Sequence, residues 1–193
     1  MGSILNFVDL GKNTGISHHS IRSYFQILED TLIGNFLLPF GKSKRNRLTK
    51  HPKFYFFDCG VVRAIAKKSR VPLVAKTVEF GFAFEQFVIN EVMRWNSYRQ
   101  ADCEFSFFRT EHETEVDLII ETPEGRLLAI ECKGSDRIQS KHLTGLRLFA
   151  SEFKQARLAV ASLETKPRRV DGIDVVPWQR VLAWIEAQSV FKA

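Results

Sequence analysis

Two short runs carry residue types that do chemistry together: Glu115-Val116-Asp117 and, fourteen positions on, Glu131-Cys132-Lys133. Thr122-Pro123-Glu124-Gly125 between them is a turn signature, so the runs read as neighbouring strands of a hairpin. Side chains alternate along a strand, which places Glu115 with Asp117 on one face and Glu131 with Lys133 on one face. Three carboxylates and an amine are thereby expected to converge. The flanks Leu118-Ile119-Ile120 and Leu127-Leu128-Ala129-Ile130 are apolar, so these charges end otherwise buried strands, where unpaired charge is costly. A divalent cation would satisfy them. Magnesium takes hard oxygen ligands and needs only one or two carboxylates, with Asp117 and Glu131 as the natural pair. Lys133 then stands one step along the strand face, placed to orient a water and stabilise negative charge growing on phosphorus. The chemistry so described is phosphodiester hydrolysis.

The elements that must position these residues are legible around them. A long amphipathic helix is expected over 76–95, then strands over 104–109, 114–121 and 126–133. A helix over 139–152, a strand over 157–162, a short strand over 170–176 and a terminal helix from 178 to about 188 follow. This order suggests a mixed α/β sandwich. Before it, residues 6–28 read as helix, break, helix: Gly15 suits the turn and Ser17 caps a run in which Ile21, Phe25 and Leu28 share a face. His18, His19, Arg22 and Gln26 lie on the opposite face. Two strand-like runs, 32–40 and 53–57, complete a winged helix-turn-helix, closed by a short helix over 61–68. Between the strands Lys42, Lys44, Arg45, Arg47, Lys50 and Lys53 form the most basic stretch, with no acid among them. The domains are drawn as 1–70 and 76–193, with 70–72 as the linker.

The 193 residues carry 28 Lys and Arg against 22 Asp and Glu, a net charge of +6 that favours a polyanionic partner. Hydrophobic residues at 45% exclude a disordered chain. Cys59, Cys103 and Cys132 are widely spaced and odd in number, which suits a reducing compartment and gives no metal-binding pair. No apolar run approaches membrane-spanning length, so a cytoplasmic protein is expected. The scattered histidines are assigned to no metal.

With these runs in view, the chain resembles the PD-(D/E)XK nuclease-like superfamily over residues 76–176. The resemblance rests on the helical acid in Phe82-Ala83-Phe84-Glu85-Gln86-Phe87-Val88, on Glu115-Val116-Asp117, where Val116 replaces the usual Pro, and on Glu131-Cys132-Lys133. It implies Glu85 as a helix-borne acid near the metal, Asp117 and Glu131 as ligands, Lys133 as the active-site lysine, and Gln139 to His142 as accessory.

A closer resemblance is to the C-terminal region of a prokaryotic AAA-type ATPase family, carried by residues 15–30, by His51-Pro52-Lys53-Phe54-Tyr55-Phe56-Phe57-Asp58-Cys59-Gly60 and by Glu115-Val116-Asp117. That family places a motor before a winged helix and a nuclease-like domain of unknown function. Here the motor is missing: Gly41-Lys42-Ser43 imitates the tail of a P-loop, but position 36 is Phe instead of the first Gly, and no ATPase activity is expected. The chain reads as a fragment of a longer protein or a stand-alone remnant. Two functions are therefore expected. In one, this is a DNA-associated module with magnesium-dependent phosphodiester hydrolysis, DNA being met by His18, Arg22, Gln26, Lys42, Lys44, Arg45 and Arg47. In the other, it is a non-catalytic docking region for an AAA-type motor, in cis or in trans, with a vestigial acidic site.

Overall fold

A computed structural model describes residues 4–41 and 51–188. The chain forms two compact units, Met1–Pro72 and Leu73–Ala193.

In the first unit, α1 (Phe7–Thr14) begins where Asn6 accepts hydrogen bonds from the amides of Val8 and Asp9. It ends at Gly15, whose φ of 71° is the left-handed conformation that glycine takes without steric cost. Helix α2 (His18–Asp30) starts three residues on, and Ser17 Oγ accepts from the Ser20 amide at 3.1 Å, as the capping pattern predicts. Strands β1 (Gly34–Pro39) and β2 (Lys53–Phe56) pair antiparallel, with Phe36 opposite Phe54. Rings of Phe7, Phe25, Phe36 and Phe54 meet edge to face or tilted, so α1, α2 and the hairpin share one aromatic core. A short helix, α3 (Cys59–Ile65), follows, capped by Asp58. The basic residues Lys42, Lys44, Arg45, Arg47 and Lys50 lie outside the described residues. Lys53, the last cation of the basic stretch, opens β2 as expected and is buried there.

The second unit opens with α4 (Val78–Arg99), capped by Thr77. Strands β3 (Glu104–Arg109), β4 (Glu115–Glu121) and β5 (Leu127–Lys133) run antiparallel. A 3₁₀ turn (Ser140–Leu143) and α5 (Thr144–Glu152) return the chain to β6 (Arg157–Ser162), parallel to β5. Strand β7 (Arg168–Val170) and β8 (Ile173–Pro177) form a hairpin whose second strand is parallel to β6. A second 3₁₀ turn (Trp178–Arg180) and α6 (Val181–Gln188) follow. The fold class is mixed α/β, as expected. One element differs: the single strand read over 170–176 is two, because Asp171 and Gly172 both take positive φ and reverse the chain.

Strands β4 and β5 each bury five consecutive residues, which requires cover on both faces. Helix α4 lies against β5, and α5 lies against β4 and β5. The approach of α5 is close: a Cβ at Gly145 would stand 1.9 Å from the Glu115 carbonyl oxygen. At the end of β5, a Cβ on Gly134 would meet the Phe80 ring at 2.9 Å, which fixes α4 over that strand end. Trp95 Nε1 donates to Glu186 at 2.9 Å, joining α4 to α6.

Candidate active site

The site lies where β4 and β5 part. Their paired register runs from Glu121 opposite Leu127 to Leu118 opposite Ile130. On its other side β4 changes register against β3, from Ser106 opposite Ile119 to Phe108 opposite Val116, so β4 holds one extra residue at Asp117–Leu118. This β-bulge bends the strand and re-aims a side chain. Asp117 Oδ2 accepts a hydrogen bond from the Cys132 amide at 2.8 Å, so a carboxylate meets a backbone donor just past the paired register.

Four expected residues come together. Asp117, Glu131 and Glu85 are all buried, and Lys133 Nζ pairs with Glu131 Oε1 at 2.6 Å. Glu85 reaches the cluster from α4: its charge acts on both Glu131 and Cys132. Three carboxylates thus face one amine in a setting that disfavours charge. Burial first, then the Asp117 charge, push the Glu131 carboxyl up to about 8 against the opposing pull of Lys133, with Glu85 adding to the rise. Burial alone would lower Lys133, but Glu131 and Asp117 outweigh it and hold the amine protonated. The Cys132 thiol is pushed up by complete burial and by the same carboxylates, so it is no nucleophile at neutral pH. Glu131 Oε2 is buried and has no hydrogen-bond partner. A buried acceptor left bare is destabilising and calls for a ligand.

That orphaned oxygen tests the fit to a cation. Asp117 and Glu131 offer hard oxygen donors, and the surplus of negative charge over Lys133 favours a divalent ion. Among the described residues no group of three or more His, Cys, Asp and Glu is placed to hold a metal ion. The donor set is therefore a carboxylate pair with Glu85 nearby. Magnesium accepts such a set because it retains waters in its remaining positions.

Glu115 does not join the cluster. Its carboxylate pairs with Arg109 Nη1 at 2.9 Å, and Arg109 stands directly opposite it on β3 and also holds Glu113. The third carboxylate is supplied by Glu85 instead. His142 is the residue the strand pattern misses: its ring lies close enough to Lys133 for that charge, after burial, to depress its pKa. Its Nδ1 accepts from the Gln139 amide at 3.2 Å in a capping box, which leaves Nε2 to carry the proton in the neutral ring. In the first unit, His18, Arg22 and Gln26 lie exposed on α2. Gln26 donates to Glu29 and Asp30, at 3.3 and 3.0 Å, so its amide is engaged within its own helix.

A domain of unknown function, DUF4143, matches residues 80–181, more than half of the chain and the whole of the cluster. The chain belongs to the DUF4143 family. A second domain of unknown function, DUF8612, matches residues 1–71. The chain is also similar, at 24% identity over 160 residues, to uncharacterized proteins of Mycobacterium bovis and Mycobacterium tuberculosis. The match takes in 82% of this DUF4143 chain and 34% of each relative, so the chain spans about a third of the length of these relatives. Among the described residues no helix is long and apolar enough to cross a membrane.

Proposed function

We propose that the second unit is a PD-(D/E)XK-like, magnesium-dependent phosphodiesterase acting on DNA, and that the first unit is a winged helix that holds the nucleic acid. The observation that carries this reading is the orphaned, buried Glu131 Oε2 within a cluster of Glu85, Asp117 and Lys133. Asp117 and Glu131 would hold the metal, and Glu85 would add negative charge from α4. When bound, magnesium supplies Lewis-acid charge for the phosphodiester and for the attacking water. Lys133, kept protonated by its neighbours and paired with Glu131 Oε1, would leave Glu131 Oε2 for the metal and stabilise charge growing on the phosphate oxygens. Burial of the carboxylates keeps these charges in a medium where they act strongly.

Lys133→Ala is expected to lower plasmid nicking by about a hundredfold or more while magnesium and DNA binding persist. Nicking at the wild-type rate would remove Lys133 from the mechanism.

A second reading has its own support. Tyr24, Ile27 and Leu32 leave apolar surface exposed on and just after α2, and the curated relatives are about three times the length of the matched segment. The first unit would then dock on an AAA-type motor, with the acidic cluster vestigial.

A further inference from the structure

The first unit holds a cleft of about 400 Å³ between α1, α2 and the β hairpin. Its apolar wall is Phe7, Phe36 and Pro52, and its rim is His18, His19 and Arg22. Phe7 and Phe36 are half-buried residues of the wall, and both rings also pack against Phe25. The rings of His18 and His19 lie 4.0 Å apart at 35°, a tilted stack beside the opening. His51 also lines the cleft and follows the basic stretch that ends at Lys50. One acid, Glu29, lines it too, but its Oε1 accepts from the Phe36 amide at 2.9 Å and its Oε2 from Gln26.

We infer that this cleft takes an unpaired nucleotide of a single-stranded DNA, the base against Phe7 and Phe36 and the phosphate at Arg22 and His19. Aromatic walls bind bases irrespective of sequence through their π faces, and the Arg22 guanidinium at the rim can meet a backbone phosphate. The volume suits one nucleotide, which a convex reading helix would not require. Asp30, exposed at the C-terminal end of α2 and outside the cleft, would approach phosphates if that helix lay along a duplex groove. The site stands apart from the carboxylate cluster of the second unit and shares with the proposed function only the premise that the ligand is DNA.

The test is fluorescence anisotropy of the whole chain with a labelled twelve-nucleotide oligothymidine, the same strand made duplex, and the same strand with abasic positions. EDTA is present throughout, so failure of the phosphodiesterase reading cannot enter. The single strand is expected to bind at least about tenfold more tightly than the abasic strand, since stacking carries the difference. Arg22→Ala and His19→Ala, both exposed, should each weaken it about fivefold or more, and Phe7→Leu, which keeps apolar volume, should abolish the preference over the abasic strand. Equal binding of intact and abasic strands, tighter binding of the duplex, or no loss in Arg22→Ala and Phe7→Leu would overturn the inference and leave the cleft to a peptide.

Discussion

A carboxyl buried beside two others keeps its proton at Glu131 up to about pH 8, against an ordinary value of 4.5. Between those two values the folded chain retains a proton that the unfolded chain has released, so without metal the fold loses stability as pH rises through this window. The loss is on the order of a few kcal/mol, complete by the upper value. Glu131→Gln, neutral at every pH, should show a melting temperature that is flatter from pH 5 to 8 in EDTA and higher than wild type at pH 8. A wild-type melting temperature that climbs over this range would contradict the electrostatics of the cluster. The residue types were readable in advance: acid, acid and lysine on two adjacent strands name Asp117, Glu131 and Lys133. The exclusion of Glu115 was not, because it depends on which strand neighbours β4 on its far side. Arg109 and Glu115 flank one short turn, and opposite charges so placed pair directly once the turn closes.

At the scale of elements, hydrophobic pattern located the helices and most strands of both units, since each buries a face with its own period. Two features escaped it. The β7–β8 reversal hinges on the single pair Asp171-Gly172, a strong hairpin signal inside an otherwise continuous β-like run. The bulge at Asp117–Leu118 arises from the mismatch of two registers and has no local signature. Close approach of α5 to β4 rests on Gly145, and here a prediction separates packing from propensity. Gly145→Ala drives a Cβ into the Glu115 carbonyl and should cost about 1–3 kcal/mol, with a fall in denaturant midpoint and in nicking. Gly81→Ala, inside α4 with open space around the added carbon, should stabilise by about 0.5–1 kcal/mol. Denaturant titration of the two variants checks both signs, and a Gly145→Ala midpoint equal to wild type would refute the packing of α5 on β4.

For the whole molecule, net charge of +6 and two units of different construction are consistent with a binding unit joined to a unit bearing a buried acidic cluster. Composition and motifs placed a division at residues 70–76, and the family match over residues 80–181 assigns no reaction. The basic stretch from Lys42 to Lys50 would add salt-sensitive affinity whichever strand form is bound. Activity, by contrast, depends on whether the carboxylate pair still takes a cation. The measurement that decides this is magnesium binding by calorimetry on wild type and Asp117→Ala, with plasmid nicking followed in the same buffer. The account predicts binding and nicking by wild type and the loss of both in the variant. A wild-type chain that neither binds magnesium nor nicks DNA would contradict it and make the cluster a relic in a docking module.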